Sequence, residues 1–158
     1  MRKVIDKTLT VFLIGLLGFL VLDVLWQVLS RYVLASPSSV TDELAGFLLV
    51  WVGLLGASYV FGCNEHLAID LLLQKIAPER KLKLQLFIWG IVFLFALFVL
   101  VIGGGWLVYT RFYLEVTSAS LQVNMGWVYM VLPVSGILTA YYAIDNSLRL
   151  IRSNKHNS

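Results

Sequence analysis

Three side chains in the first long apolar stretch are the residues best placed to do chemistry: Asp23, Gln27 and Arg31. They recur at i, i+4 and i+8, so a helix brings all three onto one face. Asp23 lies midway through that stretch, where a charge costs about 2.5–3.5 kcal/mol to place in hydrocarbon. One reading makes it a buried ion or proton site; the other makes it part of a polar seam that hydrogen-bonds to a neighbouring helix. The seam is preferred, because no other apolar stretch carries a matching acid at mid-depth, and Asp145 lies too near the end of the last one to pair with Asp23. A second cluster is Glu65, His66 and Asp70, with His66 and Asp70 spaced i, i+4. That spacing suits a metal ion, but metal sites usually need three or four ligands. The other histidine, His156, sits in the tail, so no metal is expected and a His–carboxylate pair that fixes a turn is the simpler role. Cys63 is the single cysteine, which excludes a disulfide or a CxxC redox pair within the chain. No Ser-His-Asp set, phosphate-binding glycine loop or HExxH motif is present, and no histidine lies inside an apolar stretch to hold haem. The residues point away from an enzyme and require no cofactor.

The elements that position these residues follow from the apolar content. Of 158 residues, 59% are hydrophobic and 13% charged, and the mean hydropathy is +0.86. A soluble domain is roughly 25% charged, so lipid must be the main solvent of this chain. A bilayer core needs about 20 apolar residues per helix. Four stretches qualify, at residues 8–34, 44–62, 84–110 and 125–148. The expected fold is therefore all-α and integral to the membrane, a single four-span domain over residues 1–158. An N-terminal signal peptide is the rival reading of the first stretch, with Val33-Leu34-Ala35 as its cleavage site, but a signal core is about 7–15 residues and this stretch is longer and carries Asp23 and Gln27. The first connection, Ala35 to Glu43, carries Pro37, serines and then Thr41-Asp42-Glu43, which suits a helix start near Asp42. In the second connection, Ile69, Leu72, Leu73 and Ile76 follow i, i+3, i+4, i+7 while His66, Asp70 and Gln74 share another face. That predicts an amphipathic interfacial helix over residues 64–77, ended by Pro78.

Charge sets the orientation. Ten of the twelve Lys and Arg residues fall at the start, in the middle connection and at the end, and the other two are Arg31 and Arg111 beside the two remaining connections. This is the pattern of both termini in the cytoplasm. The basic clusters suit anionic phospholipid headgroups and form no continuous stripe for nucleic acid. Tyr32, Tyr109, Phe112, Tyr113, Trp127 and Tyr129 would form an aromatic belt at the opposite interface. Gly53 with Ala57, Ser58 with Gly62, and Ser135, Thr139 and Ala143 recur at four-residue spacing, which permits close helix contact. Gly103-Gly104-Gly105 suggests a kink or a close neighbour in the third span, with a merely tolerated soft spot as the equal alternative.

These features together resemble a known family. Arg31 followed by SSVTDEL, then LLVWVGLLGASYVFGCNEHLAIDLL, then SLQVNMGWVYMVLPVSG leading into the last span, are similar to the small membrane subunit of tripartite ATP-independent periplasmic (TRAP) transporters, the DctQ-like family. The matching positions are Arg31, Asp42, Glu43, Trp51, Gly56, Ala57, His66, Asp70, Pro133 and Gly136; Val40 departs from the pattern, where the family often has tryptophan. The resemblance implies a scaffold subunit in a bacterial inner membrane, paired with a large elevator-type membrane subunit. It implies a periplasmic binding protein that delivers an organic acid, such as a sialic acid or C4-dicarboxylate, and uptake driven by sodium. Asp23, Gln27, Arg31, Asp42, Glu43, Trp51, Gly56, His66, Asp70, Pro133 and Gly136 are then architectural or subunit-interface residues, with no substrate site in this chain. Arg31 pairing with Asp42 or Glu43 across the first connection is a further expectation. The alternative is a self-sufficient homodimeric transporter that uses Asp23.

Overall fold

The structure is a computed structural model that describes residues 2–36, 38–63 and 78–156, with side chains at 78–80 and 153–156 excepted. The expected interfacial helix over residues 64–77, with Glu65, His66 and Asp70, lies outside the described residues. Helix α1 runs Arg2–Tyr32 and α2 runs Ser39–Cys63. The third span is one continuous rod of three segments: α3 (Pro78–Phe95), a π-helical stretch (Ala96–Gly103) and α4 (Gly104–Tyr113). A short α5 (Met125–Tyr129) leads into α6 (Val131–His156). Four helical stretches are long and apolar enough to cross a membrane: Arg2–Tyr32, Ser39–Cys63, Lys81–Tyr113 and Met125–Arg152.

Local chemistry explains where these elements begin and break. Ser38 Oγ accepts the Thr41 N–H at 3.5 Å and the Ser38 carbonyl accepts the Thr41 hydroxyl at 3.0 Å. Helix α2 therefore starts about one turn before the Asp42 expected from its acids, because a serine cap satisfies the first free N–H groups. Asn124, in an extended conformation, caps α5 by accepting the Gly126 N–H at 2.8 Å. The last span then breaks at Met130. Pro133 has no N–H to give to the Tyr129 carbonyl, so an uninterrupted helix through this point would lack one bond. A carbonyl in the broken turn is used instead by the neighbouring helix: Trp51 Nε1 donates to Val128 O at 3.0 Å.

The spans stand side by side in a row. α1 packs on α2, α2 on α6, and α6 on the third span, while among the described residues no extended contact joins the third span to α1 or α2. α2 and α6 are thus the two inner helices of the row, and α6 carries Val131, Ser135, Thr139, Tyr142, Ala143 and Asn146, all buried. Two glycines let α6 and the third span pack closely. A Cβ on Gly136 would sit 2.7 Å from Leu100 Cβ, and one on Gly104 would sit 2.7 Å from Leu132 Cβ. The π-helical stretch and α6 therefore approach with their backbones nearly in contact. Of the three-glycine run, only Gly104 is placed by such a neighbour; a Cβ on Gly105 would meet nothing within 4 Å. The row also presents many large apolar side chains outward, among them Ile14, Leu22, Phe87 and Phe98, as a lipid-solvated protein can.

Candidate functional site

Polar groups gather at three levels: the end that carries the termini, the middle of the α2–α6 contact, and the opposite end. At the terminal end Arg2 is the hub. Its guanidinium donates to Asp145 Oδ2 at 2.7 Å, to Asn146 Oδ1 at 2.9 Å and to the Gly62 carbonyl, and lies 3.6 Å from Asp6. Asn146 Nδ2 donates to the Phe61 carbonyl at 3.2 Å, the Tyr142 hydroxyl donates to Asp6 at 2.7 Å, and Arg149 donates to Asp145 at 2.8 Å. These bonds tie the first turn of α1 to α6 and to the end of α2, so the row closes at this level. They also place the first and last helices' free ends at the same end of the molecule. Sequence reasoning assigned Arg2 to orientation and headgroups and passed over Asn146. The signal that finds Asn146 is its place in a polar stripe, with Ser135 and Thr139, on one face of an otherwise apolar span.

In the middle, Thr139 Oγ1 donates to Ser58 Oγ at 3.0 Å, and Ser58 Oγ lies 2.9 Å from the Leu54 carbonyl and 3.1 Å from the Ser135 carbonyl. All three hydroxyl residues are buried. This is the interhelical polar seam of the structure, and it does not run through Asp23, Gln27 and Arg31. Asp23 is only 8% exposed, yet its Oδ2 has no hydrogen-bond partner among the described residues. Gln27 is half-buried and its carbonyl accepts from Ser30 Oγ at 2.9 Å; Arg31 is exposed. The three do share a helix, but among the described residues none of their side chains hydrogen-bonds to another helix; Arg31 alone makes an ion pair there, its Nη2 4.0 Å from Asp42 Oδ2. The physical reason is reach: short hydroxyl groups on α2 and α6 bond at close contact, whereas Asp23 faces a contact with no donor aimed at it. Gly56 is half-buried and has open space around it, so it makes no close approach among the described residues.

At the opposite end Glu43 does something the sequence did not suggest. It does not pair with Arg31. Its carboxylate accepts three successive backbone N–H groups from the last connection: Ala119 at 3.1 Å, Ser120 at 2.9 Å and Leu121 at 2.9 Å. The connection is also closed on itself. Ser118 N–H donates to Val123 O at 2.9 Å, Met125 N–H to Val116 O at 2.8 Å, and Thr117 and Asn124 form an antiparallel bridge. Gln122 takes φ 55° to make the turn. Around this ordered loop lie Tyr109, Tyr113 and Trp127, all exposed, with Tyr109 stacked on Tyr113 at 6.0 Å. The Arg111 guanidinium sits 5.8 Å from the Tyr129 ring centre.

No group of three or more metal-ligating side chains occurs among the described residues. What the arrangement does chemically is to fix helices to one another and to hold one loop in a single shape.

Comparison with known proteins gives this architecture a context. Residues 20–153 match the family model described as "Tripartite ATP-independent periplasmic transporters, DctQ component". The chain is 23% identical over 152 residues to a Vibrio cholerae protein, the sialic acid TRAP transporter small permease protein SiaQ, covering 96% of this chain and 86% of that one. It is 28% identical over 115 residues to the C4-dicarboxylate TRAP transporter small permease protein DctQ of Rhodobacter capsulatus, covering 72% of this chain and 50% of that one. It is also 32% identical over 124 residues to the sialic acid TRAP transporter permease protein SiaT of Haemophilus influenzae, covering 75% of this chain but 19% of that longer protein.

Proposed function

This chain belongs to the DctQ component family of tripartite ATP-independent periplasmic transporters, a transporter component and not an enzyme, and from that premise we propose that it is the small scaffold subunit of such a transporter. It partners a large elevator-type permease in sodium-driven uptake of an organic acid, a sialic acid or a C4-dicarboxylate, delivered by a periplasmic binding protein. The names of its relatives support the substrate class, and the match to a short part of a much longer permease supports the pairing with a large membrane subunit. The chain sits in the bacterial inner membrane with both termini and the stretch 64–77 at the cytoplasmic face, where the basic clusters meet anionic phospholipids. The first and last connections then face the periplasm and contact the binding protein. Trp51, Pro133 and Gly136 shape the α2–α6–third-span contact.

The observation that carries the scaffold reading is the mid-membrane seam. Its hydroxyl groups are buried and satisfy one another across α2 and α6, which holds helices together and, among the described residues, leaves no chain of free polar groups in that contact for a substrate. Affinity purification of this chain in mild detergent is expected to bring down a membrane protein of about a dozen spans. A chain that is monodisperse and stable alone, with no such neighbour, would end the reading. The second reading, a homodimeric carrier with Asp23 as its coupling site, is favoured by one observation: the unpartnered, buried Asp23 Oδ2. Reconstitution of the chain alone separates the two, since uptake that disappears in Asp23→Asn belongs to a carrier and its absence without a partner belongs to a scaffold.

A further inference from the structure

Three backbone N–H groups that converge on one carboxylate make a specific device. The loop's own hydrogen bonds join residues 116–118 to residues 123–125 and leave the tip, Ala119 to Leu121, with only the Glu43 carboxylate as acceptor for its amides. Charge-assisted bonds of this kind are roughly twice as strong as neutral ones. Glu43 stands in the second turn of α2, on the rigid row of helices, so the tip is registered to α2 and not only to its own stalks. The residues that the tip presents are not consumed by this anchoring. Ala119, Gln122 and Val123 remain exposed, as do Leu114 and Glu115 at the loop's start. An isolated turn with left-handed residues at both ends, Glu115 at φ 49° and Gln122 at φ 55°, would sample many shapes without such a tether.

We propose that Glu43 is a positioning residue for recognition of the periplasmic binding protein: it holds the 114–124 loop in the one conformation on which that protein docks. This rests on the reading above that the periplasmic connections receive the binding protein. Glu43 itself need not touch the partner. It removes, before encounter, the ordering cost that a free loop would otherwise incur on binding.

The test uses the whole complex, this chain with its large permease, reconstituted in liposomes, with substrate-loaded binding protein titrated outside. Glu43→Gln keeps the shape but replaces one acceptor oxygen with a donor amide, so at least one of the three bonds is lost. The expected result is a rise of about tenfold in the binding-protein concentration that gives half-maximal uptake, at unchanged maximal rate, from the loss of a hydrogen bond to a charged group. Hydrogen exchange at the Ala119, Ser120 and Leu121 amides should accelerate in the same variant. A lower maximal rate with unchanged half-saturation would mean a general structural role and would overturn the proposal. So would faster amide exchange with no change in half-saturation, because the loop's shape would then not be what the partner reads. Ala119→Trp separates the two levels of inference. If it raises the half-saturating concentration while Glu43→Gln does not, only the positioning role fails; if it too has no effect, docking on this loop fails with it.

Discussion

Gly104 and Gly105 are neighbours in one helix, yet alanine should stabilise the protein at Gly105 and not at Gly104. A methyl group on Gly104 would sit 2.7 Å from Leu132 Cβ and 3.3 Å from both Pro133 Cδ and Pro133 N. Carbon atoms in good contact are about 3.5–4.0 Å apart, so the overlap with Leu132 approaches 1 Å on that scale. Neither neighbour can rotate away: one is a Cβ fixed to the backbone, and the others belong to a proline ring. Relief requires α6 to separate from the third span, at a cost of about 1–3 kcal/mol for an overpacked contact. Against this, replacing glycine by alanine in a helix gains about 1 kcal/mol. That gain is common to both positions, and at Gly105 nothing opposes it, since no atom lies within 4 Å of the added carbon. The common term cancels when the two variants are compared, so Gly105→Ala should exceed Gly104→Ala in stability by about 1–3 kcal/mol, the overpacking cost alone. Reversible unfolding in mixed micelles, followed by tryptophan fluorescence as the denaturing detergent fraction rises, measures that difference. Gly136→Ala, whose methyl would lie 2.7 Å from Leu100 Cβ on the facing surface, should resemble Gly104→Ala. Equal stability of the Gly104 and Gly105 variants would refute the close backbone approach of α6 and the third span.

Three further outcomes follow from the polar contacts. Ser58→Ala removes the acceptor of the buried Thr139 hydroxyl and the donor facing the Leu54 and Ser135 carbonyls; the same unfolding assay should register a loss of about 1–3 kcal/mol for the groups left unsatisfied. Arg2→Gln deprives Asp145, Asn146 and the Gly62 carbonyl of a shared donor, so trypsin or hydrogen exchange should find the first turn of α1 and the end of α6 opened together, and an effect confined to α1 would contradict the hub. Arg31 and Asp42 are 4.0 Å apart and about half exposed, so reversing either charge should change chain stability by less than about 1 kcal/mol. Reversal of both should restore any assembly with the large subunit that one reversal impairs, and failure to restore it would assign Arg31 a different partner.

The all-helical, membrane-spanning class was legible because it rests on composition and on runs of apolar residues, signals that a bilayer enforces. The break before Pro133 and the Asn124 cap are local, and their causes sit within four residues of their effects. The partner of Glu43 was not legible for a definite reason. Its donors are backbone N–H groups, which every residue but proline carries, and they lie 76 to 78 positions away. Sequence reasoning looked for a side chain of opposite charge and found Arg31 nearby. Within this chain the hydroxyl bonds between helices form at Ser58, Ser135 and Thr139, residues that the four-residue spacing had marked for close contact, and not at the more polar Asp23 and Gln27. In a membrane, a short hydroxyl can bond across a close contact without any charge to desolvate, so polarity is a poorer guide to the seam than size.

That distinction bears on what kind of transport component the chain is. An ion-coupling site needs several ligands from more than one element and a part that moves between two states. Buried polar atoms of α2 are instead paired with α5 and α6: Trp51 with the Val128 carbonyl, and Ser58 with Thr139 and the Ser135 carbonyl. Breaking these pairs to expose a passage would leave buried hydroxyls and carbonyls without partners, at about 1–3 kcal/mol apiece. Asp23 is the one mid-span acid, and its free oxygen is covered by the chain's own atoms. Asparagine keeps the size and shape of that side chain, so an Asp23→Asn variant should fold and assemble as well as the parent; uptake by the assembled complex that survives the substitution fits a scaffold, and uptake that is lost fits a carrier coupled at Asp23.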